Sequence, residues 1–280
     1  MFRAQRNLIG KIEMDPTLLI IILGIVEGLT EFLPVSSTGH LVLAGTLLGL
    51  PPGSETFDIV IQLGAILAVV VLYWRRFWNV FLGLIAVDPT SIRFVRNVLI
   101  GFLPSAIVGA IAYGAIKAML EKPVVVAVAL IIGGFVILAI ERLKPRAAIT
   151  DVDAMRWPTA LGIGIVQCLS MIPGVSRSGA TIMGALMLGV DRRTAAEYSF
   201  FLAIPTMIGA TTLALWKARD TLDMSHMGAI GLGFVVSFVV AALVIRWFLN
   251  VVTKHGFAPF AWYRIVAGSV ALVWLLQIGP

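Results

Sequence analysis

Gly24-Ile25-Val26-Glu27-Gly28-Leu29-Thr30-Glu31-Phe32-Leu33-Pro34-Val35-Ser36-Ser37-Thr38-Gly39-His40 sets two carboxylates, a proline, a row of three hydroxyls and a histidine inside a run otherwise fit for lipid. Glu27 and Glu31 are four residues apart, so on a helix they stack one turn above each other on one face. Like charges at that spacing repel, and each ionised side chain at membrane depth costs at least ~2.5–3.5 kcal/mol on insertion scales. A cation held between them, or a shared proton, offsets that cost. Pro34 disfavours helix at Leu33 and removes a backbone donor, so the helix is expected to stop there. Ser36, Ser37 and Thr38 are helix-capping types, and the apolar run 41–50 reads as a new half-helix. Its free N–H groups point back at the break, and Gly39 lets a ligand approach the backbone. That is an anion cradle beside a metal-type carboxylate pair, a combination suited to a metal-bound phosphate.

The rest of the chain supports a membrane setting. Of its 280 residues 59% are hydrophobic and 13% charged, with mean hydropathy +1.00, which excludes an ordinary soluble domain. The net charge of +6 reads as basic loops beside anionic lipid rather than as nucleic-acid binding. Cys168 is the sole cysteine, so no intramolecular disulfide forms, and its apolar surroundings make it a small core residue. Residues 1–16 carry no cleavable signal pattern. Six segments are long and clean enough to span: 57–74, 94–116, 123–143, 194–216, 227–249 and 259–278. Two more, 17–50 and 158–190, are apolar but interrupted by Pro, Gly and Ser, and each half is too short to cross. Both read as re-entrant helical hairpins. Residues 78–88 form a short interfacial piece.

The two interrupted segments are related. A shift of 140 residues lays 24–39 on 164–179 with seven of sixteen positions identical, and lays 57–74 on 197–214. Glu27 becomes Gln167 and Ser37 becomes Arg177. The expected architecture is therefore one all-α membrane domain over 1–280: a tail (1–15), a first repeat (17–143) and a second repeat (157–278). Duplicated, discontinuous helices point to a midplane site at the repeat interface. Arg75, Arg76, Arg93, Arg96, Arg142, Lys144, Arg146, Arg156, Arg192, Arg193, Arg246 and Lys254 placed inside leave Lys117, Lys122, Lys217 and Arg219 outside, twelve against four. With that orientation the repeat is inverted and the hairpin tips meet near the midplane. Arg3, Arg6 and Lys11 in the tail disagree with it: a segment 17–50 that crosses once would put the tail inside.

The second break, Pro173-Gly174-Val175-Ser176-Arg177-Ser178-Gly179-Ala180-Thr181, repeats the hydroxyls and adds an arginine, whose planar fork suits phosphate. Arg177 pairing with Glu27 or Glu31 to neutralise buried charge is the competing structural reading. His40, four residues beyond Ser36, is a catalytic candidate rather than an interior histidine. His226 and His255 read as solvated, Arg264, just past Trp262 and Tyr263, mainly as an interface anchor, and Glu197 and Ser199 are explained by helix capping as well as by function. Tyr73, Trp74, Phe77 and Trp78 read as an aromatic belt.

Residues 27–40 and 173–181 together closely resemble the undecaprenyl-diphosphate phosphatase family of the bacitracin-resistance type. The likeness runs from about Pro16 onward and includes Gln62-Leu63-Gly64 and Glu197-Tyr198-Ser199-Phe200; residues 1–15 lie outside it. The resemblance implies an enzyme of the bacterial plasma membrane that removes the terminal phosphate of undecaprenyl diphosphate, giving the lipid carrier of peptidoglycan synthesis. It also implies a divalent cation, an interleaved inverted-repeat fold, a site opening to the outer face, and a homodimer. Residues and resemblance combine into one expectation. Glu27 and Glu31 hold Mg²⁺ or Ca²⁺, and Arg177 with Ser36, Thr38, Ser176, Ser178 and Thr181 binds phosphate. Ser37 is the first choice of nucleophile with His40 as base, direct attack by His40 is second, and an activated water is the third possibility. The rival class is a secondary transporter or flippase for an anionic substrate, with Glu27 and Glu31 coupling ions. A scaffold protein would leave the buried charges unexplained.

Overall fold

A computed structural model describes residues 15–48, 55–143, 146–218 and 227–278. Arg3, Arg6, Lys11, Lys144, Arg219 and His226 lie outside the described residues. Helix α1 (Pro16–Thr30) starts where the Asp15 carboxylate accepts the Thr17 N–H at 2.7 Å, with Pro16 at the first position, where its missing donor is not needed. After a break at 31–36 comes α2 (Ser37–Leu48). Further along, α7 (Trp157–Gln167), a 3₁₀ turn (Cys168–Met171) and α8 (Arg177–Met187) form the second interrupted segment. The longest of these four helices, α1 with 15 residues, extends about 22 Å, short of the ~30 Å hydrocarbon core.

Five helices are long and apolar enough to cross a membrane: α5 (Pro89–Leu120), α6 (Pro123–Leu143), α9 (Arg192–Ala218), α10 (Met227–His255) and α11 (Ala258–Ile278). A sixth span is reached by counting α3 (Glu55–Leu72) with α4 (Trp74–Ile85), which bend by 72° about Tyr73. The protein is thus a multi-pass helical membrane protein with five or six spans, against the six expected. The span expected at 94–116 is longer at both ends. Asp88 caps it by accepting the Ser91 N–H at 2.8 Å, and Pro89 fits its first turn. The interfacial piece starts at Trp74 rather than 78. Trp74, Trp78, Phe81, Leu82 and Ile85 are exposed along it, whereas Tyr73 and Phe77 turn inward onto Phe201, with ring centroids 5.0 and 5.7 Å away. Half of the expected aromatic belt is therefore core packing. Among the described residues no strand forms beyond one isolated bridge between Ile149 and Val190.

Two packing relations position the site. Helix α10 lies against α1 and α3, while α5 lies against α7 and α9; α6 and α11 pair with each other. The approach is close because glycines face it: a Cβ on Gly24 would sit 3.0 Å from Gly233 O, and one on Gly164 only 2.2 Å from Gly101 O. The inner layer is aromatic, with Phe32, Tyr198, Phe200 and Phe248 buried and Phe32 edge-on to Phe200 at 5.3 Å. Outer faces carry exposed Ile111, Leu243, Val270 and Leu276, the side chains a lipid solvent requires.

Candidate active site

Both breaks end in the same device. Ser36 and Ser176 take left-handed backbone angles, φ 71° and 80°, rare for residues with a Cβ. Each caps the helix it precedes: Ser36 Oγ accepts the Gly39 N–H at 3.2 Å, and Ser176 Oγ accepts the Gly179 N–H at 3.1 Å. The breaks touch each other, Ser178 Oγ donating to Leu33 O at 2.6 Å. The first turns of α2 and α8 therefore converge, and the N–H groups that open a helix have no partner inside it.

Glu31 sits at the centre, with only 6% of its surface exposed. Its Oε1 accepts Arg177 Nη2 at 2.8 Å, and its Oε2 accepts the Ser37 hydroxyl in a short hydrogen bond. The ion-pair reading of Arg177 is thus realised with Glu31, and the nucleophile candidate rests on the same carboxylate. Arg177 Nη1 also donates to Ser199 O at 2.9 Å. Ser199 Oγ lies 2.6 Å from Thr181 Oγ1, and Ser176 Oγ lies 3.0 Å from Ser178 Oγ. Arg177 Nε is buried without a hydrogen-bond partner among the described residues. Glu27 is fully buried on the last turn of α1, and Thr38 is half-buried on the first turn of α2.

The ring nitrogens of His40 are engaged by Ser36 and Tyr263 rather than by Ser37. Its Nδ1 is 2.8 Å from Ser36 O, which only accepts, so Nδ1 carries the proton. Its Nε2 then accepts the Tyr263 hydroxyl at 2.6 Å. The structure brings Ser37 together with Glu31, Arg177 and the hydroxyl row; the histidine is engaged elsewhere.

Three expectations change. Ser199 is no helix cap: Asp191 caps α9 by accepting the Arg193 and Thr194 N–H groups, and Ser199 is fully buried against Arg177. Glu197 instead pairs with Arg193 at 3.2 Å, one turn away. Arg264 is no interface anchor: only 1% of it is exposed, and its guanidinium bonds five backbone carbonyls deep in the protein. The signal for Arg264 was available, since a charged residue inside an apolar span is a site hypothesis by default. Tyr263, beside it, drew no role of its own, and nothing local connects it with a histidine 223 residues away.

The donor set bears on the cation. Among the described residues no three His, Cys, Asp or Glu side chains gather. Ca²⁺ takes six to eight oxygens, which Glu27 and Glu31 are far from supplying; Mg²⁺ typically takes one or two carboxylates and completes its shell with water and substrate phosphate. Both oxygens of Glu31 are engaged, by Arg177 and by Ser37, so the protein's own donors to a cation are few.

Comparison with known proteins identifies relatives over nearly the whole chain. A family model described as bacitracin resistance protein BacA matches residues 20–270. A Rhizorhabdus wittichii protein named undecaprenyl-diphosphatase is 71% identical over 94% of this chain and 99% of its own length. Proteins of the same name from Sphingopyxis alaskensis (60% identical; 91% of this chain, 97% of theirs) and Novosphingobium aromaticivorans (57%; 94% and 99%) are also similar. With nearly the whole chain matched, and with both helix breaks inside the match, the protein belongs to the bacitracin-resistance BacA family.

Proposed function

We propose that the protein hydrolyses undecaprenyl diphosphate to undecaprenyl phosphate and inorganic phosphate, the activity its relatives are named for. The observation that carries the reading is the buried contact set Ser37–Glu31–Arg177 at the meeting of two half-helix N-termini. Ser37 Oγ attacks the terminal phosphorus while its proton passes to Glu31 Oε2. The new O–P bond forms as the bond to the bridging oxygen breaks, and undecaprenyl phosphate leaves with that electron pair. Water then attacks the phosphoserine, and phosphate departs as the serine proton returns. Arg177 and the helix N-termini stabilise the charge spread over the equatorial oxygens. Glu27 would hold Mg²⁺, with Glu31 beside it as the expected second ligand before it takes the Ser37 proton, and the ion would supply Lewis-acid charge neutralisation on the diphosphate. His40, tied to Ser36 O and Tyr263, is assigned to holding the cradle rather than to deprotonating Ser37.

The reading extends to the frame. The 140-residue sequence offset, the swapped packing of α10 on α1 and α3 and of α5 on α7 and α9, and the matched serine caps support an interleaved inverted repeat of 17–143 with 157–278. The arginine distribution supports a plasma-membrane protein with its site opening outward, where the released carrier serves peptidoglycan synthesis and bacitracin resistance. A homodimer belongs to the same reading, and the mass of the detergent-solubilised protein tests it. The activity is tested by phosphate release from undecaprenyl diphosphate in detergent. Release by the wild type supports the reading; none from folded protein with any divalent cation overturns it, and then anion transport in proteoliposomes becomes the next assay.

A further inference from the structure

We propose that Arg264 is the positioning residue that locks the two broken segments onto each other and so fixes the phosphate cradle; this rests on the phosphate-transfer reading of that cradle. A guanidinium has five N–H donors in a rigid plane. In Arg264 all five are used, each on a neutral backbone carbonyl. Nη1 donates to Pro34 O and Val175 O, both at 2.9 Å. Nη2 donates to Gly174 O at 2.9 Å and Ala129 O at 3.1 Å, and Nε to Leu130 O at 3.3 Å. A single nitrogen thus bridges the first break and the second, and of the three remaining donors one returns to the second break while two fasten the pair to α6.

The acceptors sit where holding is needed. Pro34 and Val175 lie just ahead of Ser36 and Ser176, the two site residues in left-handed conformations, which persist only where the surroundings over-determine them. α6 is shaped for this plane: a Cβ on Gly133 would lie 2.0 Å from Arg264 Nη2 and 2.7 Å from its Cζ. An anchor of the ordinary kind would run its head to the membrane surface, yet this one is 1% exposed. Because carbonyl dipoles and not a carboxylate receive it, its positive charge remains available to the anion site. Lysine, with three donors on one atom, has no plane to reproduce the bridge.

The full chain in detergent tests this through Arg264→Lys, Arg264→Ala and Gly133→Ala. Gly133→Ala keeps the charge and displaces the guanidinium. Arg264→Lys and Gly133→Ala are each expected to lower kcat for undecaprenyl diphosphate about 100-fold, with KM changed much less, as misplacement of a reacting geometry does. Hydrogen exchange in peptides covering 31–40 and 172–180 is expected to accelerate at both breaks together. Added guanidinium, but not methylammonium, is expected to raise the activity of Arg264→Ala. Wild-type-like kcat in Arg264→Lys, or faster exchange at one break alone, overturns the proposal. Wild type that releases no phosphate defeats the functional reading instead, and the exchange of the two breaks still decides the positioning role.

Discussion

Replacing Glu31 by Gln keeps the side-chain volume and one oxygen for Arg177, and removes the charge and the proton acceptor of Ser37. Two magnitudes follow from the contacts. A general base is worth about 10²–10⁴ in rate, or roughly 3–5 kcal/mol in the barrier, and Glu31 Oε2 is the acceptor the Ser37 hydroxyl has. For stability, removing one partner of a buried ion pair costs about 3–5 kcal/mol. Here that is an upper bound, because the amide oxygen still accepts Arg177 Nη2 and Ser199 O still holds Nη1 at 2.9 Å. A loss of about 1–3 kcal/mol is expected instead, the cost of a weakened buried hydrogen bond to a charged group. Phosphate release from undecaprenyl diphosphate gives kcat, and a thermal melt followed by circular dichroism gives the stability. A folded Glu31→Gln protein retaining more than about a tenth of the wild-type kcat refutes the assignment of Glu31 as base, since the smallest base contribution is already larger.

Ser199→Ala removes the hydroxyl shared by Thr181 and Arg177 but leaves the Ser199 carbonyl in place; KM for undecaprenyl diphosphate should rise more than kcat falls, read from full saturation curves. Tyr263→Phe strips the donor from His40 Nε2; a loss near 1 kcal/mol of stability, the usual worth of one such bond, is expected in chemical denaturation, with kcat reduced only modestly. Chelator should abolish release and Mg²⁺ should restore it better than Ca²⁺, measured in one titration series. Asp88 gives a pH dependence. The Ser91 N–H and then the Ser91 hydroxyl hold its carboxyl below the ordinary 3.8, so its stabilising cap is present above that value and fades as pH falls through the lower folded value. The melting-temperature gap between wild type and Asp88→Ala, which has no capping oxygen, should therefore shrink at acid pH, and a gap that widens there contradicts the cap.

Much of the site was legible because membrane burial makes polar residues expensive. Glu27, Glu31 and Arg177 stood out in apolar segments, and Pro34 and Pro173-Gly174 announced the breaks that bring helix N-termini inward. The same cost applied equally to Arg264, but its neighbours Trp262 and Tyr263 suggested an interface and diverted the reading. The helix bounds were less legible, since caps such as Asp88 extend a helix past its apolar stretch. Most other side-chain pairings were not legible, the Arg177–Glu31 pair across 146 residues being the exception. That Ser37 leans on Glu31 six residues earlier, while His40 turns away to Tyr263, depends on the left-handed twist at Ser36, which no local propensity for serine announces. Ser199 belongs to the same class: its role depends on α9 passing beside α8, a tertiary fact.

The hydroxyl at position 37 is where the chemistry is assigned, so the decisive measurement is phosphate release from undecaprenyl diphosphate by purified Ser37→Ala beside wild type, with melting temperatures matched to show that both are folded. A fall of at least about 10³ is expected, the scale seen when an attacking group is removed and the binding and charge-stabilising groups remain. Release by Ser37→Ala within about tenfold of wild type would contradict attack by this serine and hand the reaction to His40 or to water.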